Sequence, residues 1–280
     1  MVATARHGED CVGRIICVAN QKGGVGKTST AVNLATSLAL QGQRVLLVDL
    51  DPQGNASSGL GLKDTEGATT YDLLLGERAA ADTKVATQVQ NLDLIPAHRD
   101  LVGAEVELVA AEKREFRLAE ALAPVRNDFD FILIDCPPSL GLLTLNGLTA
   151  ADAVVIPLQC EYYALEGLSA LLDTIELIRA NLNQGLAIDG IVLTMFDTRN
   201  SLSHQVSDEV RRHFPDRVFR TVIPRNVRLS ESPSHGMPAA LYDPASKGAQ
   251  AYQDLARELL AGGERRAGEV PEGEADDRSA

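Results

Sequence analysis

Seven consecutive residues near the start of the sequence have the types and the order of a phosphate-binding loop. They are Lys22-Gly23-Gly24-Val25-Gly26-Lys27-Thr28, and Ser29 follows them. Glycines allow successive backbone N–H groups to point into one concavity, and a helix that begins there adds its positive end. Lys27 would then place a charge on the β- and γ-phosphates, while the Thr28 hydroxyl could ligate Mg²⁺. These residues predict a site for a nucleoside triphosphate.

The loop departs from the usual pattern G-x-x-x-x-G-K-[ST] at its first position. Gln21 stands where that pattern has glycine, and Lys22 adds a second lysine five residues before Lys27. A second ammonium group need not serve the same phosphate from the same side. One role open to Lys22 is to reach across an interface to the nucleotide of a second subunit.

Three aspartates stand at the ends of apolar runs that are typical of strands. Asp49 and Asp51 lie two positions apart after the run RVLLV, so strand geometry would put both side chains on one face. Asp135 ends the run FDFILID, which is the usual context of an acid that holds Mg²⁺ through a coordinated water. A single acid at a strand end is often only a turn former. Together with the phosphate loop, the three acids predict a site that positions a metal ion and a water molecule.

Short apolar runs that are rich in β-branched residues alternate with longer helical patterns, and these elements must position the loop and the acids. Near-continuous apolar runs are typical of strands that are buried on both faces of a parallel sheet. We therefore predict an α/β fold, an open, mostly parallel twisted sheet with helices on both faces. The predicted strands are residues 14–20, 44–49, 129–135, 153–158, 190–195 and 217–224. The predicted helical segments are residues 29–40, 101–122, 165–175 and 249–260.

The sequence predicts a single domain with two extensions. We place the domain at residues 14–261, because no long linker or internal repeat interrupts it. Residues 1–13 are small and polar, and we expect a mobile extension there. Residues 262–280 carry six acids and three bases with almost no bulky apolar side chain, which predicts a disordered acidic tail.

The motifs resemble those of one family of ATPases. The loop at Lys22–Thr28, the run Asp49-Leu50-Asp51-Pro52-Gln53-Gly54-Asn55 and the segment CPPSLGLLTLNGL closely resemble the deviant Walker A ATPases. Within them the sequence is similar to the ParA/Soj partition proteins, and most closely to their chromosomal branch. The resemblance implies the P-loop fold, ATP and Mg²⁺ as ligands, and an ATP-bound sandwich homodimer.

The same resemblance implies roles for individual residues. Lys22 would contact the phosphates bound by the partner protomer, Asp51 would orient or deprotonate the attacking water, and Asp135 would belong to the magnesium site with Thr28. We place Asp49 in the same magnesium site, in a supporting role. The adenine pocket would include Met195, Pro224 and Asn226, which stand at or after predicted strands.

The charge distribution is uneven along the chain. The net charge is −13, from 26 Lys and Arg against 39 Asp and Glu, which argues against a surface coated with nucleic acid. Residues 201–230 nevertheless hold six arginines and three acids, which leaves −16 on the other 250 residues. Composition alone does not decide between a polyanion site and arginines that pair with acids elsewhere.

The resemblance favours a polyanion site, because ParA-type proteins bind DNA without sequence preference when they form ATP-bound dimers. The candidate DNA contacts are Arg211, Arg212, Arg217, Arg220 and Arg228. By the same resemblance, the partner that stimulates hydrolysis is a ParB-like protein bound at centromere-like sites. The chain would then be cytoplasmic and associated with the nucleoid.

Three rival functions differ from this hypothesis in sequence features. A MinD-like ATPase that cycles on membranes needs an amphipathic carboxyl-terminal helix, whereas the tail is acidic, and no run of residues is apolar enough to span a membrane. A relative of the nitrogenase iron protein needs cluster-binding cysteines, and Cys136 and Cys160 lack that spacing. A nucleotide-gated DNA-binding regulator of transcription would use the same switch, so the sequence leaves it open.

Overall fold

Eight strands form one sheet in the computed structural model, which describes residues 12–63 and 67–267 of the chain. The strands are β1 (Arg14–Val18), β2 (Val45–Asp49), β3 (Val85–Ala86), β4 (Leu92–Ile95), β5 (Phe131–Asp135), β6 (Ala153–Gln159), β7 (Ala187–Phe196) and β8 (Val218–Pro224). Their order across the sheet is β3-β4-β2-β5-β1-β6-β7-β8. All neighbouring pairs run parallel except β3 and β4. The predicted fold class is therefore confirmed.

All six predicted strands are present within one to three residues of the expected bounds. Two further strands, β3 and β4, were not predicted. They are only two and four residues long, and Asp93 interrupts the apolar run of β4. β4 pairs with β2, so it extends the sheet on the side away from β1.

Helices connect the strands and cover both faces of the sheet. In the described part of the chain they are α1 (Lys27–Leu40), α2 (Asn55–Gly59), α3 (Thr70–Leu75), α4 (Ala80–Thr83), α5 (Leu101–Glu107), α6 (Arg117–Leu122), α7 (Leu142–Ala150), α8 (Ala164–Asn181), α9 (Ser201–His213), α10 (Val227–Glu231), α11 (Ala239–Tyr242) and α12 (Lys247–Ala267). Short 3₁₀ turns lie at Leu108–Ala110, Arg114–Phe116, Ala123–Asp128 and Ser232–His235.

Two apolar cores lie on opposite faces of the sheet because side chains alternate along each strand. In β1, Ile15 and Cys17 pack into the core formed with α5 to α9. Ile16 and Val18 pack into the other core, with α1 and α12. Burial on both faces explains why the strands have near-continuous apolar sequences. It also holds the carboxyl ends of β1, β2 and β5 side by side, where the site forms.

The ends of the chain are described only in part. The helix α12 continues to Ala267, six residues beyond the predicted boundary of the domain at residue 261. The rest of the predicted acidic tail, residues 268–280, and most of the predicted extension, residues 1–11, lie outside the described residues. Within the described residues, no helix is both long enough and apolar enough to cross a membrane.

Candidate functional site: a phosphate loop at the carboxyl ends of the strands

The loop between β1 and α1 forms a tight turn that only glycine adopts readily. Gly24 and Gly26 have φ angles of 74° and 86°, in the left-handed region that disfavours other residues. Gly26 directly precedes α1, so the free N–H groups of the first helical turn face the loop. The Thr194 hydroxyl donates to the Val25 carbonyl at 2.8 Å and fixes the loop against β7. This is a cradle for an anionic group at a helix N-terminus.

Lys27 is buried within this loop. Only 6% of the residue is exposed, and its Nζ donates to the Lys22 carbonyl oxygen at 3.0 Å. Burial lowers the pKa of Lys27, while the negative charges of Asp135 and Asp51 oppose that shift. A buried ammonium group held by one backbone carbonyl is well placed to exchange that bond for a phosphate oxygen.

Asp49 organises the loop that carries Asp51. Its carboxylate accepts hydrogen bonds from the Ser57 N–H at 2.8 Å, the Ser57 hydroxyl at 2.7 Å and the Asp51 N–H at 3.2 Å. Burial raises the pKa of Asp49 to about 6, although these hydrogen bonds act in the opposite direction. Three protein donors thus hold the Asp49 carboxylate, and its place in the metal site stays a prediction. Asp49 supports the site through the backbone of Asp51 and Ser57.

Asp135 lies beside Asp49 because β2 and β5 pair with these two residues in register. Both of its carboxylate oxygens are buried, and neither has a hydrogen-bond partner of normal geometry within the described part of the chain. Burial, reinforced by Asp49, raises the pKa of Asp135 well above its ordinary value, and the nearby Thr28 hydroxyl offsets this in part. A buried carboxylate without a donor fits a magnesium site, in which a metal-bound water would supply the missing hydrogen bond.

Protein side chains alone do not complete such a metal site. Among the residues that the structure describes, no group of three or more His, Cys, Asp or Glu is arranged to hold a metal ion. A magnesium ion here would be held by the Thr28 hydroxyl, by waters on Asp135 and by phosphate oxygens. This matches the preference of Mg²⁺ for few protein ligands and several waters.

Asp51 faces the same site from the turn after β2. The residue is 6% exposed, and its Oδ1 accepts a hydrogen bond from the Gln53 N–H at 2.9 Å. The negative charge of Asp51 acts to raise the pKa of both Lys27 and Asp135. The structure therefore brings Asp51, Asp135 and Lys27 together as the sequence predicted, while their chemical roles stay predictions.

Lys22 points away from Lys27. Its Nζ forms an ion pair with Glu161 Oε2 at 2.6 Å, in the turn after β6, and both side chains are partly exposed. The Asn20 side chain accepts a hydrogen bond from the Lys22 N–H at 2.9 Å and donates one to the Pro157 carbonyl at 2.7 Å. These two bonds hold the backbone of Lys22 against β6. The sequence did not predict the contacts of Asn20 and Glu161 with Lys22.

Asn20 could have been recognised as a support of the loop because it lies just before it. Nothing in the sequence links Glu161 to a lysine 139 residues away.

A cavity of about 290 Å³ opens beside the loop. Gly26 and Ser29 form one side of it, and Met195, Pro224 and Asn226 line the other. The three residues predicted for an adenine pocket thus meet at one cavity that adjoins the phosphate loop. Tyr252, which was not predicted, also lines it, and its hydroxyl contacts Thr30 Oγ1 at 3.2 Å.

The five candidate DNA-binding arginines do not form one uniform patch. Arg217 and Arg220 are exposed, and neither side chain has an ion pair within residues 12–63 and 67–267. Arg211 donates to the Phe219 carbonyl at 2.9 Å, and Arg212 pairs with Glu209 at 2.7 Å. Arg228 pairs with Glu231 and Asp243. It follows the carboxyl end of β8, about 20 Å from the arginines at the other end of that strand.

The fold and the loop together define the class of the protein. A parallel sheet with β5 between β1 and β2, and a two-lysine glycine loop between β1 and α1, are the arrangement of a P-loop nucleoside triphosphatase of the deviant Walker A class. Residues 13–188 match the family described as AAA domain. The matched residues include the phosphate loop, Asp49, Asp51 and Asp135.

Comparison with known proteins narrows the class to a family. The chain is 58% identical over 253 residues to the sporulation initiation inhibitor protein Soj of Bacillus subtilis, covering 90% of this chain and all of that protein. It is 59% identical over 250 residues to the chromosome partitioning protein ParA of Myxococcus xanthus, covering 89% and 88% of the two chains. The chain therefore belongs to the ParA/Soj family of chromosome-partitioning proteins.

A solved structure agrees with this fold. A Mycobacterium smegmatis protein described as cobyrinic acid a,c-diamide synthase, solved with a bound ATP analogue and magnesium, is 40% identical to this chain. The TM-score is 0.80, and the match covers 90% of this chain and 96% of that one. Its identity to this chain is well below that of the two partition proteins.

Titration of Asp49 gives a prediction for stability. Its pKa is 3.8 in an unfolded chain and about 6 in the folded protein, so the folded state retains this proton over that interval. The free energy of unfolding should therefore fall as pH rises from about 4 to about 6, by up to about 3 kcal/mol. Urea titrations of the wild type and of Asp49→Asn at several pH values would measure it. The difference between the two proteins should change across this interval, and a difference that is the same at every pH would contradict the assignment.

Proposed function

We propose that this chain is an ATP-dependent ATPase of chromosome or plasmid partition, which converts ATP and water into ADP and phosphate. The observation that carries this proposal is the buried Lys27 ammonium group, set in a glycine loop beside Asp51 and Asp135. The adjoining cavity has room for a base. The names of the Soj and ParA relatives support partition as the process, and the related structure with an ATP analogue and magnesium supports the ligands.

The binding step uses groups that the loop presents. The N–H groups at the start of α1 and the Lys27 ammonium group receive the β- and γ-phosphates, and Lys27 gives up its bond to the Lys22 carbonyl. Bound Mg²⁺ would neutralise charge on the phosphate oxygens, held by Thr28 and by waters on Asp135. Met195, Pro224 and Asn226 would enclose the adenine.

The chemical step is the in-line attack of water on the γ-phosphorus atom, with ADP as the leaving group. Asp51 accepts a hydrogen bond from the attacking water and orients it. Lys27 stabilises the charge that develops on the transferred group, and Lys22 of the second subunit adds a further positive charge. Lys22 pairs with Glu161 in the structure, so a contact between Lys22 and the partner's phosphates would require this ion pair to break.

Dimerisation also makes DNA binding depend on the bound nucleotide. Two copies of a weak basic surface on one dimer raise the affinity for DNA through effective concentration. The ATP-bound homodimer then holds double-stranded DNA of any sequence, and a ParB-like partner stimulates hydrolysis and release. These properties would keep the protein on the nucleoid while ATP is bound.

DNA binding measured with ATP, with ADP and without nucleotide tests this function. We expect binding of an arbitrary duplex with ATP and Mg²⁺ only, with chemical cross-linking or sedimentation reporting the dimer under the same conditions. Binding that is equally strong in all three states would reject the switch. Stimulation of hydrolysis by a DNA-bound ParB-like protein would separate a partition ATPase from a transcription regulator, which does not need it.

The arginines at the amino end of β8 give a prediction for the salt dependence of DNA binding. Arg217 and Arg220 are exposed and unpaired within the described residues, so each can bind a phosphate without losing an existing bond. Arg217→Ala and Arg220→Ala should each reduce the slope of log affinity against log salt by about 0.9. Arg78→Ala, an exposed arginine before α4 near the opposite edge of the sheet, is the matched control. An unchanged slope in both variants would place the DNA elsewhere.

A further inference from the structure

Two groups of apolar side chains are more than half exposed. Val102, Val106 and Val109 lie four and three residues apart on α5 and the 3₁₀ turn after it, so they share one helical face. They are 55%, 73% and 61% exposed, and we call them the valine stripe. Tyr162 and Tyr163 are 78% and 65% exposed, with their rings 5.1 Å apart and perpendicular. We call them the tyrosine pair.

Both groups follow strands that end at the edge of the sheet that carries the phosphate loop. The valine stripe comes after β4, and the tyrosine pair comes directly after β6, beside Glu161. Glu105 of α5 lies against Gly141 in the loop after β5, and Leu140 of that loop is 45% exposed. The valine stripe therefore approaches the centre of this edge from one side, and the tyrosine pair stands on the other side.

The strand order places the two groups symmetrically. β5 lies midway between β4 and β6, and it also lies midway between β2 and β1. A two-fold axis normal to the sheet, just beyond the carboxyl end of β5, would exchange the positions of β4 and β6 between two copies. With strands about 4.8 Å apart, the same axis would put Lys22 of one copy about level with β2 of the other, where Asp51 stands. This is where a second positive charge must act on the γ-phosphate.

We propose that the valine stripe of one copy packs against the tyrosine pair of a second copy, twice in each ATP-bound dimer. The inference rests on the proposed function as a dimeric ATPase, and it identifies the surface at which the two copies meet. In an isologous interface, residue i meets residue j while j meets i, so two dissimilar apolar groups on one chain can satisfy each other. Tyrosines are enriched in the energetic centre of interfaces, and a row of valines offers an apolar face for their rings. The ion pair between Lys22 and Glu161 lies beside this contact, so closure of the surface would accompany the release of Lys22.

Charged substitutions on the two sides of the proposed contact, made singly and together, would test it. Val106→Glu and Tyr162→Arg should each weaken dimerisation of the full chain at least tenfold in sedimentation experiments with a non-hydrolysable ATP analogue and Mg²⁺. The double variant, Val106→Glu with Tyr162→Arg, would place opposite charges at both contacts. It should dimerise at least tenfold better than either single variant.

Controls separate this inference from the function on which it rests. Leu177→Glu changes a residue that is 66% exposed on α8, about 20 Å from the tyrosine pair, and should dimerise as the wild type does. At protein concentrations too low for dimerisation, all variants should bind a fluorescent ATP analogue with the affinity of the wild type. Single variants that dimerise normally, or a double variant no better than the singles, would overturn the proposed contact alone. Single variants that lose DNA binding but keep the dimer would assign the surface to DNA. A wild type that does not dimerise with the analogue would overturn the proposed function as well.

Discussion

Changing Lys22 to alanine is expected to abolish ATP turnover while ATP binding survives. The loop uses the backbone of Lys22 for its own structure, through the N–H bond to Asn20 and the carbonyl bond from Lys27. Alanine keeps both bonds and removes only the ammonium group that now contacts Glu161. A charge supplied in trans to a phosphoryl transition state is worth roughly 10³- to 10⁵-fold in rate, so we expect a loss of at least about 10³ in kcat. Steady-state turnover and the binding of a fluorescent nucleotide would measure the two effects.

Mixed dimers show whether Lys22 acts within its own subunit or across the interface. Lys22→Ala and Asp51→Ala chains are each inactive, but a dimer of the two has one site with both Asp51 and the partner's lysine. If the two chains pair at random, an equal mixture should recover about one quarter of the wild-type activity. A mixture as inactive as its components would show that Lys22 acts within its own chain. Lys84→Ala, which removes a partly buried ion pair with Asp93, is a control that should change neither ATP binding nor ATP turnover.

The phosphate site could be predicted because its parts are local in sequence. The loop, the start of α1 and the strand before it occupy consecutive residues, and the glycine positions impose the turn whatever surrounds them. Asp51 and Asp135 could be placed near the loop because parallel strands all end at one edge of the sheet. The supporting role of Asp49 followed in part from the same reasoning, but its bonds to Ser57 depend on the fold of the turn after β2.

Contacts between distant segments could not be predicted in this way. Glu161 stabilises Lys22 only because β6 lies next to β1, and the sequence contains no pattern for that pairing. The arginines of residues 201–230 are close in sequence, yet β8 separates Arg228 from Arg211, Arg212 and Arg217. The short strands β3 and β4 carry too few residues for a periodic pattern. Sequence proximity therefore predicts the position of the phosphate loop and its acids better than the grouping of surface charges.

Replacing Asp51 by alanine should stop hydrolysis after ATP has been bound. Asp51 is buried next to the phosphate loop, but among the described residues its carboxylate accepts a hydrogen bond only from the Gln53 N–H. Its removal therefore leaves Asp49 and Ser57 to maintain the turn. The loss of a residue that orients the attacking water should lower the rate by about 10²- to 10⁴-fold. Because Lys27, Thr28 and Lys22 remain, the variant should accumulate as an ATP-bound dimer.

This accumulation distinguishes a role in chemistry from a role in folding. The Asp51→Ala protein should stay on DNA in the presence of ATP and Mg²⁺, with a dissociation rate that a ParB-like partner no longer increases. Asp51→Asn, which keeps the size of the side chain and an acceptor for the Gln53 N–H, should behave in the same way. Hydrolysis at the wild-type rate by either variant would show that another group positions the water. A variant that fails to bind ATP would instead show that Asp51 maintains the loop, because a residue that acts only on the attacking water cannot affect the binding step.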